Sequence, residues 1–231
     1  MTTQQQFFSG VAPALARYEQ DVLIHGVWNR PGLSPRDRSI VTLAALVTRG
    51  HSMSLRFYTG HALDHGVTPE EVSEIVTHLA FYAGWGTAVV AISPIEAVFM
   101  ERGIGADRLP PASPDLLPLD QAAEDRRASS VEQNVGPVST GLVADTGAVL
   151  FRDLWLRPDL APRDRCLVTV AALIASGQFA QITFHLGKAM DNGLTGDEAA
   201  ELLSHIAYYA GWPSAMSAVP VFKGVFESRA K

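Results

Sequence analysis

A gapless internal repeat limits the folds open to this chain more than any other feature of its sequence. Residues 33–103 (LSPRDRSIVTLAALVTRG…HLAFYAGWGTAVVA…VFMERG) align with residues 160–230 (LAPRDRCLVTVAALIASG…HIAYYAGWPSAMSA…VFESRA) at an offset of 127, with 30 identities over 71 positions. The match continues upstream, where Val22, Leu23, Trp28, Arg30 and Pro31 correspond to Val149, Leu150, Trp155, Arg157 and Pro158. The fold must therefore be two copies of one unit of roughly 100 residues, a domain-sized length. This divides the chain into a first repeat over 1–103, matching from near Phe7, a connector over 104–133 and a second repeat over 134–231. The connector is rich in Pro, Asp and Arg and has little periodic apolar content.

Within each repeat the punctuation is helical. Ser34 stands at an N-cap with Pro35 at the first helical position and Asp37 three after the cap, and an apolar run to Val47 follows. Gly50 and Gly177 mark its end in the two repeats. A second helix over roughly 53–65 closes at Gly66, with Gly193 as counterpart, each suited to a left-handed C-cap. Thr68-x-x-Glu71 and Thr195-x-x-Glu198 are capping boxes that open a helix running to the AGW of each repeat. A final helix follows the GWG or GWP break. No sustained period-2 alternation occurs, so the predicted class is all-α without strands.

Composition narrows the partners. A formal net charge of −6 gives no broad basic surface for a phosphate backbone, so nucleic acid is not an expected partner. The single cysteine, Cys166, excludes an internal disulfide and any CxxC site. The first residues, MTTQQQFFSG, lack a basic segment followed by an apolar one, and the expectation is a cytoplasmic protein without a leader. The most membrane-like stretch, Leu79 to Ile95, is short and interrupted by Gly84, Gly86 and Pro94, and reads as a buried core helix with its following turn.

The order PRDR, an Ala-rich helix, a helix ending DHG or DNG, T-x-x-E, and HLAFYAGWG or HIAYYAGWP resembles the carboxymuconolactone decarboxylase family over nearly the whole of both repeats. The resemblance implies an all-α fold of the alkylhydroperoxidase-like kind, assembled as rings of six domains, which for a fused pair means a homotrimer. It also implies cofactor-independent loss of CO2 from a lactone such as γ-carboxymuconolactone. Peroxidase relatives carry CxxC, seven and four residues before a catalytic histidine. Those positions hold Gln178 and Gln181, and His51 and Ser54 in the first repeat, so thiol peroxidase chemistry is not expected. His185 stands at the family's histidine position and Tyr58 stands there in the first repeat, which points to the C-terminal half as the reactive one.

Side chains with helical spacing suggest the chemistry. Glu201, His205, Tyr209 and Trp212 fall near one helix face, repeated by Glu74, His78, Tyr82 and Trp85. A carboxylate one turn before an imidazole fixes its tautomer and raises its pKa, and aromatic rings offer a flat wall to an unsaturated substrate. The alternative is that these are hydrogen-bonded core residues. Arg163 and Arg165, like Arg36 and Arg38, are candidate anchors for a substrate carboxylate, or else salt bridges between units. His51, His61 and His65 lack a fourth ligand spaced to complete a metal site, so neither metal nor cofactor is expected.

The leading reading is a decarboxylase of a carboxylated, unsaturated lactone or related enolisable acid. His185 or His205, with Glu201 and Tyr209, would supply the acid, and Arg163, Arg165, Trp212, Tyr58, His78, Tyr82 and Trp85 would contact the substrate. A cyclase, isomerase or hydrolase of a natural-product pathway on the same scaffold is the second reading. A non-catalytic, ring-forming binding protein is the third, favoured if the histidines are buried and fully hydrogen-bonded with no adjacent cavity.

Overall fold

A computed structural model describes residues 10–230. Residues 1–9, which hold the start of the first repeat near Phe7 and the stretch on which the expectation of no leader rests, lie outside the described residues, as does Lys231. The first repeat begins with α1 (Pro13–Tyr18), which runs on as a π-helical turn (Glu19–Ile24) and a 3-10 turn (Val27–Asn29). It continues as α2 (Pro35–Thr48), α3 (Ser52–Asp64), α4 (Pro69–Tyr82) and α5 (Trp85–Glu101). The connector region holds a 3-10 turn (Ala106–Arg108) and α6 (Gln121–Val135), a helix that its polar composition does not announce. The second repeat comprises α7 (Thr140–Asp145), a π-helical turn (Thr146–Phe151), a 3-10 turn (Leu154–Leu156), α8 (Pro162–Ser176), α9 (Phe179–Asp191), α10 (Gly196–Ala210) and α11 (Trp212–Arg229). Every element of one repeat starts 127 residues before its counterpart, and no strand occurs among the described residues.

The sequence signals act as stated at the helix ends. Ser34 accepts a hydrogen bond from the Asp37 amide at 3.0 Å, and both Thr-x-x-Glu capping boxes close with their two reciprocal bonds. Gly84 and Gly211, at φ 97° and 87°, break the chain between α4 and α5 and between α10 and α11, in a backbone region that disfavours side chains. The break corrects one expectation. Trp85 and Trp212 do not extend the Glu-His-Tyr face, because each is the first residue of the next helix, and both are exposed.

At the centre α2 and α8 pack against each other, buried from Asp37 to Val47 and from Asp164 to Ala175. Ala44, Ala45, Ala171 and Ala172 are fully buried here, and their small side chains allow the two helices to approach closely. The two PRDR motifs then meet: Arg36 pairs with Asp164 at 2.8 Å, and Arg163 with Asp37 at 2.9 Å. Each contact has its mirror image, the signature of an isologous, twofold interface built inside one chain. Around the central pair the repeats exchange partners, α10 lying on α2 and α4 on α8.

The Leu79–Ile95 stretch is not continuously buried. After the Gly84 break, α5 turns Ala88, Ala91, Ile95 and Val98 inward and leaves Val89, Val90 and Ile92 in solvent. No helix among the described residues is long and apolar enough to cross a membrane.

The crossed packing carries buried charge. Glu74 and Arg165 are both fully enclosed and joined at 3.0 Å, and Arg157 adds a forked pair to the same carboxylate. In the mirror-image pair, Glu201 meets Arg38 at 2.9 Å, but Arg30 stands 3.9 Å away with 44% of its side chain exposed. Removing one partner of a buried pair costs about 3–5 kcal/mol because the other charge is left uncompensated. Glu74→Gln is therefore expected to lower the unfolding free energy by about that amount in urea titrations, and Glu201→Gln by distinctly less. Equal losses from the two variants would show that enclosure does not govern this pair.

Candidate active site

Two mirror-related clusters form where α4 and α10 cross the opposite repeat, and each draws residues from both repeats. In one, Glu74, His78 and Tyr82 on α4 face Trp155, Arg157, Arg165, Thr169 and His185 of the second repeat. In the other, Glu201, His205 and Tyr209 on α10 face Trp28, Arg38, Thr42 and Tyr58 of the first. The candidates named in the C-terminal half are thereby divided. His185 and the Glu201-His205-Tyr209 face belong to different clusters, because α4 and α10 each present this face to the opposite repeat.

The glutamates do not serve the histidines. Glu74 is taken by Arg157 and Arg165, so the imidazole one turn along meets a guanidinium instead, with Arg165 Nη1 at 3.4 Å from His78 Nδ1. His78 Nε2 lies 2.7 Å from Thr169 Oγ1, and that hydroxyl donates to the Arg165 carbonyl. The ring therefore donates from Nε2 and accepts at Nδ1, which is the neutral form. Thr42 and Arg38 hold His205 the same way, at 2.8 and 3.4 Å. Burial and the adjacent arginine push both imidazoles down, His205 to about 3. The expected rise in pKa is thus reversed, and these two histidines have the buried, fully bonded surroundings of structural groups.

Arg163 and Arg165 are similarly occupied. Arg165 is fully buried on Glu74 and the Arg157 carbonyl, while Arg163 meets Asp37, Asp164 and Glu198 at 2.9–3.1 Å. Their charges are matched by protein carboxylates. They tie the repeats together.

His185 differs from the other two. Its ring stacks on Trp155 at 5.7 Å between centroids and meets Tyr82 edge-on at 5.4 Å. Its Nδ1 is buried without a hydrogen-bond partner, and burial first, then the charge of Lys188, lowers its pKa to about 4. Tyr82 accepts a hydrogen bond from Trp155 Nε1 at 2.9 Å, and its own hydroxyl proton has no acceptor among the described residues. Burial pushes that phenol up, so it stays neutral. This cluster consequently holds an imidazole nitrogen and a phenol proton that the fold does not use. In the mirror cluster Tyr209 donates to Tyr58 at 3.2 Å, and Trp28 packs against His61 at 4.4 Å. His61 and His65 lie edge to face at 4.1 Å, and no group of three candidate metal ligands occurs among the described residues.

The model of the carboxymuconolactone decarboxylase family matches the chain twice, over residues 13–97 and 142–224. The chain belongs to that family. Eighty-three residues are 36% identical to the 4-carboxymuconolactone decarboxylase of Acinetobacter baylyi, covering 36% of this chain and 62% of that protein. Another 66 residues are 36% identical to the nitrosuccinic acid decarboxylase of Metarhizium robertsii, covering 29% of this chain and 46% of that one. The matched part is thus less than two thirds of either relative.

Against the family pattern, sequence reasoning singled out His185, Tyr82 and Tyr58 but left Trp28, Trp155, Thr42, Thr169 and Arg157 without a role. A signal for Trp155 and Arg157 existed, since both persist through the duplication upstream of the strongest match. Cys166 is fully buried on α8, and burial pushes its thiol up to about 12. It should resist Ellman's reagent in the native protein and react with one equivalent on unfolding; rapid native labelling would contradict this burial.

Proposed function

We propose that the protein is a cofactor-independent decarboxylase of a carboxylated, unsaturated lactone or related enolisable acid, working at the cluster around His185. The observation that carries the reading is the pairing of an unbonded, buried imidazole nitrogen with an uncommitted tyrosine proton, on an aromatic wall. In such a reaction the bond to the carboxyl carbon breaks and its electron pair enters the conjugated acceptor of the substrate, releasing CO2. Tyr82 O–H donates to the oxygen on which this charge develops, where a neutral, low-dielectric donor acts most strongly. Resting His185 is neutral; the arriving carboxylate favours its cation, so the imidazole takes one proton from solvent and the imidazolium delivers that proton to the carbon from which CO2 has left, becoming neutral again. Both named relatives are decarboxylases by name. We place the protein in the cytoplasm as part of the same proposal.

His185→Ala should lower kcat by about 10²-fold or more, the usual scale for a positioned acid, with CO2 release as the readout. Tyr82→Phe should also lower kcat, and Tyr58→Phe in the other cluster should cost much less. Full turnover by His185→Ala would move the chemistry elsewhere.

One observation favours the second reading, an isomerase, cyclase or hydrolase: an imidazole titrating at about 4 is neutral at pH 7, the form that accepts protons. The two differ in sign. With the imidazolium as donor, kcat is full below the pKa of the complex and declines tenfold per pH unit above it. With neutral imidazole as base, kcat/KM is flat through neutrality and falls only below about 4. The third reading, a ring-forming binding protein, draws support from the structural bonding of His78 and His205.

We further propose a homotrimer, a ring of six repeats. The exposed apolar residues of α5 and α11, among them Trp85, Val89, Val90, Trp212, Met216 and Val219, supply the surface it would bury. Light scattering should give three times the chain mass at micromolar concentration, and a monomer would refute it.

A further inference from the structure

We propose that Lys188 is the carboxylate anchor of the His185 cluster, and that each chain therefore binds one acid substrate, not two. The inference rests on the decarboxylase reading for the chemistry that follows binding, but the anchor itself is argued from charge and position.

An acid substrate needs a cation that the protein has not already neutralised. The buried arginines of the two clusters have their donors engaged: Arg157 and Arg165 share Glu74 and backbone carbonyls, and Arg38 bonds Glu201, while Arg30 stands 3.9 Å from that same Glu201. Lys188 meets the requirement. It lies on α9 three residues after His185, so both side chains project from one helix face. Its ammonium sits 4.8 Å from the centroid of the Trp155 ring, the same ring on which His185 stacks nearly parallel at 13°. No carboxylate pairs with it among the described residues, and the residue is half-buried rather than fully hydrated. A cation held on an aromatic face keeps its charge while its strongest hydrogen-bond donors still seek an anion. The same charge reaches the imidazole and contributes to its lowered pKa, an independent sign that the two groups share one local field.

The mirror cluster shows what happens without this residue. The position equivalent to Lys188 is His61, which burial and neighbouring His65 hold down at about 4, so it is neutral at pH 7. The position equivalent to His185 is Tyr58, which is also neutral. One cluster thus offers a lysine without a carboxylate partner beside His185, whereas the equivalent positions of the other, His61 and Tyr58, are both neutral at pH 7. A carboxylate discriminates between them by charge.

The probe is 2-furoate, a planar unsaturated five-membered ring bearing a carboxylate and no enolisable position, titrated calorimetrically into the full chain. Wild type should bind one furoate per chain. Lys188→Met should weaken binding tenfold or more, as expected for loss of a charge-assisted bond, while Lys188→Arg stays within a few fold and His61→Met does not change it. Methyl 2-furoate, with its charge masked, should bind the wild type no better than furoate binds Lys188→Met. As a second readout independent of ligand, the His185 ring should titrate above about 4 in Lys188→Met by proton NMR, which also reports whether that variant is folded. Absence of furoate binding to wild type, unaltered binding by Lys188→Met, or an equal loss in His61→Met would overturn the anchor. If furoate binding depends on Lys188 but no carboxylated lactone releases CO2, the decarboxylase reading falls and the anchor stands. Undiminished CO2 release by Lys188→Met would do the reverse.

Discussion

The buried pair between Glu74 and Arg165 sets the arrangement on which the rest of the molecule depends. Both groups are wholly removed from water, a placement whose desolvation cost is met only when every charge finds partners of good geometry. Arg157 forks onto both oxygens of Glu74 and also donates to the carbonyls of Pro111 and Ala112 in the connector. Such a set of bonds has one register. It fixes α4 against α8, and the equivalent Glu201–Arg38 bond fixes α10 against α2, so each repeat gives its Glu-His-Tyr face to the other. Neither repeat contains a complete cluster by itself.

Fusion of the two copies matters for the chemistry because it frees mirror positions from being identical. In a symmetric dimer of one repeat, the positions of Tyr58 and His185 would be the same residue, as would those of His61 and Lys188. Here they differ, and the differences fall on α3 and α9, the helices that complete the clusters, whereas the crossing elements retain Glu, His, Tyr, Trp, Thr and Arg in both. The connector adds its own asymmetry: carbonyls from Pro111 and Ala112 reach Arg157, while Arg30 stays largely exposed. The shared residues hold the scaffold, and the divergent ones distinguish the two clusters.

Much of this architecture is legible in the sequence, and the illegible part has a physical reason. Helix ends are written locally, in Ser34, in the Thr-Glu capping boxes and in the glycines, because each cap involves residues three or four apart. Pairing between repeats is not local. An offset of 127 gives a contact within one repeat and its crossed counterpart the same sequence pattern, so nothing in the spacing reveals that His185 meets Tyr82 rather than Tyr209. The helical spacing of Glu74 and His78 suggests a bond between them, but a guanidinium from the other repeat outcompetes the imidazole for the carboxylate, being permanently charged and forked. Trp85 and Trp212 lie at the right angular interval for the same face, yet the positive φ of Gly84 and Gly211 starts a new helix at each. The buried polar network is thus inferable as a set of residues and not as a set of bonds.

That network also reaches His185, the residue at which we propose the reaction. His78, held neutral between Arg165 and Thr169, stacks on Tyr82 at 4.7 Å and 21°. Tyr82 is fixed at its oxygen by Trp155, and Trp155 in turn carries His185 on its face. A chain of packed rings therefore runs from the charged core to the imidazole, whose Nδ1 has no partner in the fold. On the proposed reading, a reactive group packed at the end of this series has little room to reorient as charge develops, the condition under which hydrogen-bond donors in a low-dielectric site act most strongly. On that reading the core polar groups act through position: they hold the wall, and the wall holds His185.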